Sequence, residues 1–173
     1  MFGDDFEDGN ANGWTTVDGT WSVVTDGTYV YKNTYALNNC WSYAGSSSWT
    51  DYTVQAKVKP LSFNGTGNRF SAVFARYANN GNDYYALALQ DSNTLALRKR
   101  VGGSSSILTS KTYTIDTGTW YTLKLVVDGS SLSGYVNGNL ELTATDSSQV
   151  SGCVAVGMYK ATAEFDDVVV TNP

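Results

Sequence analysis

The chain has 173 residues, of which 13% are aromatic and only 16% charged, with a net charge of −5. Its length and aromatic content fit one domain, residues 1–173, with a substantial core, and they exclude a disordered or coiled-coil chain. The acidic balance argues against general nucleic-acid binding, because phosphate backbones require a basic surface. No stretch is long and apolar enough to cross a membrane. We therefore expect neither nucleic acid nor a membrane as a partner.

No signal-like apolar run follows Met1. We interpret Met1 as an expression start, and the chain as a module cut from a longer secreted protein, extracellular and monomeric within a larger multidomain enzyme. The alternative is a natural cytosolic protein. Cys40 and Cys153 could pair in a secreted module or remain small buried thiols, and the sequence leaves both possibilities open.

Short runs of alternating apolar and polar residues recur along the chain, separated by turn residues, which is typical of β-strands. The turn pairs include Asp26-Gly27 and Asn137-Gly138, and the second is the strongest hairpin signal. The segments 35–43 and 102–106 are interpreted as loops. The pattern predicts an all-β, two-sheet antiparallel β-sandwich with jelly-roll connections. The predicted strands are Trp21–Val24, Thr28–Tyr31, Tyr52–Lys59, Arg69–Tyr77, Tyr84–Gln90, Thr94–Val101, Ile107–Tyr113, Trp120–Val127, Leu132–Val136, Leu140–Ala144, Val154–Tyr159 and Glu164–Val170.

The three strands between Arg69 and Val101 form a predicted meander with two different faces. Because side chains alternate along a strand, Tyr85, Leu87 and Leu89 are assigned to the core. The opposite face would carry Ala86, Ala88 and Ala96, where a solvated sheet normally has larger polar residues. Such small side chains predict the low floor of a shallow trough. The alternative is that the alanines pack beneath a covering loop.

Aromatic rings and arginines are predicted to surround this floor. Planar guanidinium groups bind carboxylates through two hydrogen bonds, and aromatic rings offer a flat surface to a sugar ring. Arg76 fits only if a bulge changes its direction, since it shares its parity with Phe74. These residue types favour a polysaccharide partner, with a uronic-acid-containing glycan slightly ahead of a neutral one. The predicted ligand-binding residues are Arg76, Tyr84, Gln90, Arg98, Arg100, Trp41 and Tyr43.

Acidic residues concentrate at both ends of the chain, in segments 4–8 and 164–167. If the first and last strands lie side by side, these carboxylates would repel each other unless a cation neutralised them. Oxygen ligands favour Ca²⁺. We predict a structural calcium ion held by Asp5, Glu7 and Asp166. The alternative is that the acids face solvent separately.

Several stretches together resemble the laminin-G-like branch of the concanavalin-A-like lectin and glucanase superfamily. They include DDFEDG, FARYANNGNDYYALAL, TLALRKRVGG, GTWYTLKLVVDG, SLSGYVNG and CVAVGMYKATAEFDDVVV. The resemblance implies a carbohydrate-binding module attached to a glycoside hydrolase or polysaccharide lyase, with its glycan site on the concave sheet. It also places Asp166 at a position that often ligates structural calcium.

The sequence favours a non-catalytic protein. A glycanase requires two carboxylates across one bond, and the glucanase pattern Glu-x-Asp-x-x-Glu is absent. The chain has no His, so it offers neither the His–Tyr pair common in lyases nor a base for a Ser nucleophile. Two other interpretations stay open: a laminin-G-like adhesion domain that binds protein, and a spacer domain without a ligand.

Overall fold

The computed structural model describes residues 1–36 and 38–173. Fifteen strands are found in these residues, with one short 3-10 turn at Asn79–Gly81. All twelve predicted strands are present, with ends shifted by a few residues. The strands are β1 Phe2–Asp4, β2 Thr15–Val17, β3 Trp21–Asp26, β4 Thr28–Asn33, β5 Asn39–Ala44, β6 Tyr52–Phe63, β7 Phe70–Ala78, β8 Asp83–Gln90, β9 Thr94–Val101, β10 Ser104–Thr112, β11 Tyr121–Asp128, β12 Ser131–Val136, β13 Asn139–Thr145, β14 Cys153–Tyr159 and β15 Ala161–Thr171.

Two predicted loops are partly strands. The segment 35–43 contains most of β5, which pairs along its whole length with β14, so its interpretation as a loop was wrong for residues 39–43. Leu37, within that segment, lies outside the described residues. In segment 102–106 only the two glycines form the turn, and the serines already belong to β10, which pairs with β9. Pairing with a neighbouring strand decides both cases, and a single stretch of sequence does not contain that information.

The strands form two antiparallel sheets. The eight-stranded back sheet has the order β13-β12-β11-β6-β15-β4-β3, with β1 beside the second half of β15. The seven-stranded front sheet has the order β10-β9-β8-β7-β14-β5-β2. The predicted all-β sandwich is therefore confirmed. Within the part of the chain described here, no helix is long and apolar enough to span a membrane.

Alternation along the strands places the core between the sheets. Tyr85, Leu87 and Leu89 are fully buried in it, as predicted. The Asn137-Gly138 turn also forms as predicted, with φ of 50° and 84° at its two residues. Two positive φ values identify the mirror-image turn whose twist suits a β-hairpin.

Both cysteines are free and buried. Cys40 lies opposite Met158 in the pairing of β5 with β14, whereas Cys153 is five residues earlier on β14. Five residues of strand span roughly 17 Å, and a disulfide requires Cα atoms within about 7 Å. The two thiols therefore do not pair in this fold.

Candidate functional site

The outer face of the front sheet, called the front face below, carries a second apolar cluster. This cluster is separate from the core and contains Trp41, Phe70, Phe74, Tyr77 and Tyr84 together with small residues. A row of small residues crosses the sheet in register through Gly157, Ala72, Ala88 and Ala96. Large side chains on either side of the row can therefore lean over it.

The three alanines expected to floor an open trough are all fully buried. Ala86, Ala88 and Ala96 are each 0% exposed. The prediction of an open alanine floor was therefore wrong. The front face does contain the small residues in one patch, but other side chains cover them.

Arg98 accounts for the cover over two of these alanines, Ala88 and Ala96. It pairs across the sheet with Ala86, yet its Nη1 donates to the Oε1 of Gln90, and its guanidinium carbon lies 4.9 Å from the centroid of the Phe70 ring. Phe70 and Gln90 pair with each other beyond the small-residue row. The Arg98 side chain must cross that row to reach them. The aliphatic part of the arginine side chain therefore lies over these small residues.

The environment of Arg98 is unusual for a charged group. Only 6% of it is exposed, and none of the ion pairs in the described residues involves it. Its buried Nε has no hydrogen-bond partner. Burial lowers the pKa of Arg98 from its usual value. A buried cation without a counter-ion is costly, because burial removes its hydration without replacing it.

Arg100 and Tyr84 form a second polar pair on the same face. They are cross-strand partners, and the Arg100 Nε donates to the Gly103 carbonyl at 2.9 Å. The Arg100 guanidinium carbon lies 5.5 Å from the centroid of the Trp41 ring. Burial raises the pKa of Tyr84, so its hydroxyl keeps its proton and can donate or accept. Arg100 also takes part in none of the ion pairs of the described chain.

An open cleft of about 410 Å³ lies over these groups, and this volume is called the front cleft below. Three of the predicted residues line it: Tyr84, Arg98 and Arg100. Sequence reasoning missed several others, namely the rings of Phe70 and Tyr159 and the polar residues Asn39, Asn68 and Ser105. The parity of Phe70 and Tyr159 was available in the sequence. Asn39 and Ser105 belong to segments that were predicted as loops, and Asn68 lies between two strands, so none of the three had a detectable signal.

The remaining front-face predictions lie beside the front cleft rather than in its wall. Gln90 is 3% exposed and contacts the cleft through Arg98. Trp41 is buried in the aromatic cluster, and its Nε1 has no partner. Tyr43 stacks on Tyr77 with ring centroids 5.3 Å apart, and both rings line a smaller cavity of about 250 Å³.

Arg76 does not belong to this face, so its predicted position beside the trough was wrong. The pairing of β7 with β8 shifts between Ala75 and Ala78, and Arg76 has a φ of 50°. This bulge turns the side chain toward the core, where its guanidinium carbon lies 5.9 Å from the Tyr85 ring. Its guanidinium donates to the carbonyls of Thr50, Gly129 and Gln149 at 2.8, 2.9 and 2.8 Å and to Asp51 Oδ1 at 3.2 Å.

The two acidic ends of the chain do meet, because β1 pairs with β15. The predicted ligands, however, already have other partners: Asp5 Oδ1 accepts from the Glu7 backbone N–H, and Glu7 Oε1 accepts from that of Tyr29. Asp166 is buried, and its Oδ1 accepts from the Asp167 backbone N–H at 2.7 Å. Among the described residues no group of three or more His, Cys, Asp or Glu side chains is placed to hold a metal ion. The calcium site therefore stays a prediction.

The two antiparallel sheets and the aromatic, arginine-bearing outer face define a lectin-type β-sandwich. Residues 43–169 match the concanavalin A-like lectin/glucanases superfamily, and the chain belongs to that superfamily. The predicted resemblance is therefore confirmed.

Two enzymes from bacteria contain a related segment. Levanase of Bacillus subtilis (strain 168) is 26% identical over 159 residues, which cover 92% of this chain and 23% of levanase. The extracellular exo-alpha-L-arabinofuranosidase of Streptomyces chartreusis is 32% identical over 140 residues, covering 80% of this chain and 16% of that enzyme. The chain thus spans less than a quarter of each relative.

Solved structures share the fold at lower identity. The carbohydrate-binding module CBM66 from Bacillus subtilis superposes with a TM-score of 0.81 at 24% identity, covering 94% of this chain and 98% of the module. A β-glucanase of Bacillus licheniformis gives a TM-score of 0.73 at 14% identity, covering 99% and 98% of the two chains. A binding module and an enzyme both have this fold, so the fold alone does not decide between binding and catalysis.

Proposed function

We propose that the chain is a non-catalytic carbohydrate-binding module. It binds a polysaccharide in the front cleft and favours a uronic-acid-containing glycan over a neutral one. The observation that supports this proposal is Arg98: this residue is only 6% exposed, its guanidinium borders an open cleft, and it has no carboxylate partner among the described residues.

The preference for an acidic sugar follows from the charge of the front cleft. A ligand carboxylate would supply the counter-ion that Arg98 lacks, and Arg100 adds a second cation to the same wall. Hydrogen bonds between a guanidinium and a carboxylate are about twice as strong as neutral ones. Tyr84 would donate to a hydroxyl or carboxylate, and the rings of Phe70 and Tyr159 would contact the apolar side of a sugar.

A shallow, open site binds weakly. We expect a dissociation constant of roughly 10 µM to 1 mM, or about −4 to −7 kcal/mol. Such an affinity suits a module that keeps a catalytic domain near its polymer, and both curated relatives are glycan-active enzymes much longer than this chain. The proposal therefore includes an extracellular parent enzyme with several domains. The structural calcium ion at the joined chain ends stays a prediction.

The binding proposal is tested by titrating polygalacturonate, alginate, xylan and a mixed-linkage β-glucan against the wild type, Arg98→Ala and Lys124→Ala. Lys124 is a half-buried cation on the back sheet and matches the change in net charge. We expect carboxylated polymers to bind most tightly, Arg98→Ala to weaken them about 10- to 100-fold, and Lys124→Ala to resemble the wild type. Failure of all four polymers to bind, or unchanged binding by Arg98→Ala, would refute the proposal.

The non-catalytic part has its own measurement. The purified chain is incubated with the same four polymers, and reducing ends and unsaturated products are followed over hours. We expect neither to rise above a heat-inactivated control. A rise that scales with protein concentration would show that the chain is an enzyme.

A further inference from the structure

The Gln90–Arg98 contact leaves one edge of the guanidinium available. Gln90 Oε1 accepts a hydrogen bond from Nη1, the nitrogen that lies on the same side of the guanidinium as Cδ. Nε has no partner, and Nη2 donates to no group within the described chain. Nε and Nη2 together form the side edge of a guanidinium, whose two parallel N–H groups match the two oxygens of one carboxylate.

The chemical identity of Gln90 preserves the charge of Arg98. A glutamine oxygen accepts a hydrogen bond but carries no charge, so it orients the guanidinium without neutralising it. A glutamate of the same shape would provide an internal counter-ion. The nearest acid along the chain, Asp91, is already paired with Arg69.

Two contacts fix the orientation of the guanidinium. Phe70 lies under its face at 4.9 Å, and Gln90 holds one of its nitrogens. Gln90 is itself 3% exposed, so its amide has little freedom to turn away. Phe70 in the cleft wall sets the plane of the guanidinium, and Gln90 outside the wall sets the direction of the free edge within that plane.

We propose that Gln90 is a specificity-determining positioning residue, which keeps Arg98 uncompensated and presents its Nε/Nη2 edge to the carboxylate of an acidic sugar. This inference rests on the proposed function. It adds that the choice between acidic and neutral glycan is made by an uncharged amide that does not need to touch the ligand.

The test compares Gln90→Glu with Gln55→Glu, a matched change at an exposed position on the back sheet. Each protein is titrated with polygalacturonate and with the same polymer after carboxyl reduction, which replaces each carboxylate by a hydroxymethyl group. We expect Gln90→Glu to weaken polygalacturonate binding by at least about tenfold and to leave the reduced polymer within about twofold. Gln55→Glu should change neither affinity. The melting temperature of Gln90→Glu should equal or exceed that of the wild type, because the buried guanidinium gains a counter-ion.

A second variant keeps the inference testable if Gln90→Glu folds poorly. Gln90→Met retains the charge of Arg98 but removes the acceptor of Nη1. The preference for polygalacturonate over the carboxyl-reduced polymer should therefore be smaller in this variant than in the wild type. The inference alone is overturned if the wild type prefers polygalacturonate and both Gln90 variants keep that preference. It is also overturned if Gln90→Glu loses both polymers equally, which indicates a structural role. A wild type that binds neither polymer overturns the proposed function and this inference with it.

Discussion

Replacing Arg76 by methionine should destabilise the protein without weakening glycan binding. The substitution keeps the apolar stem and removes four hydrogen bonds, three of them to backbone carbonyls of different loops. Each bond from a charged donor contributes about 1.5–3 kcal/mol. Two of the three carbonyls, those of Thr50 and Gly129, belong to exposed residues and can bind water instead. We therefore expect a net loss of about 3 kcal/mol.

For a domain of this size, 1 kcal/mol corresponds to about 2–4 °C, so the melting temperature should fall by about 6–12 °C. Urea unfolding followed by tryptophan fluorescence measures the free energy directly. Arg98→Met is the matched control: it removes the other buried guanidinium, which has one neutral partner and no counter-ion, and its unfolding free energy should stay within about 1 kcal/mol of the wild type. A fall in melting temperature of less than 2 °C for Arg76→Met, which corresponds to roughly 1 kcal/mol, would refute the stabilising role assigned to the Arg76 hydrogen bonds. Equal destabilisation by the two variants would refute it as well.

Four further predictions concern other parts of the fold. Gly157→Ala should destabilise by about 1–3 kcal/mol in urea, because the added methyl would lie 2.4 Å from a backbone oxygen of β5; an unchanged midpoint would contradict this. Burial would raise the pKa of Asp146, but its hydrogen bonds, above all the one from Lys99, hold that pKa well below its usual range. The stability it adds is present above about pH 4 and is lost as the pH falls, so Asp146→Asn should flatten the fall in melting temperature between pH 5 and pH 3; parallel curves would refute this. Asn137→Ala and Asn137→Gly both lose the hydrogen bond from the Thr122 backbone N–H, but only alanine is strained by the positive φ, so Asn137→Ala should cost about 1 kcal/mol more than Asn137→Gly in thermal unfolding; equal melting temperatures of the two variants would contradict this. Calcium should raise the melting temperature of the wild type above its value in chelator, and Asp166→Asn should abolish the rise. Identical wild-type melting curves with calcium and with chelator would refute the calcium prediction.

The strands were predictable because their signal is local. Alternation assigned Leu87 and Leu89 to the core, and the Asn137-Gly138 pair marked a hairpin, without any knowledge of neighbouring strands. The short strands β1, β2 and β5 were missed because they lack a long alternating run. Pairing with β15, β5 and β14 makes them strands.

The candidate site was predictable only as a set of residue types on one face. Parity placed Tyr84, Arg98 and Arg100 together, and the structure brings them to one cleft. The path of Arg98 over the alanines depends on the reach of its side chain across three rows, which parity does not describe. The position of Arg76 depends on one extra residue in β7, and a bulge reverses every parity assignment that follows it.

The reactivity of the two unpaired thiols can report local opening of the structure. Cys40 lies at 0% exposure, and burial raises its pKa to about 11, so a modifying reagent reaches its thiolate only when β5 separates from its neighbours. Cys153 borders the cavity beside Tyr43 and is slightly more accessible. The labelling rate of Cys40 would therefore measure how often the sandwich interior opens, and that of Cys153 how often its outer rim opens. Both rates come from the same wild-type protein.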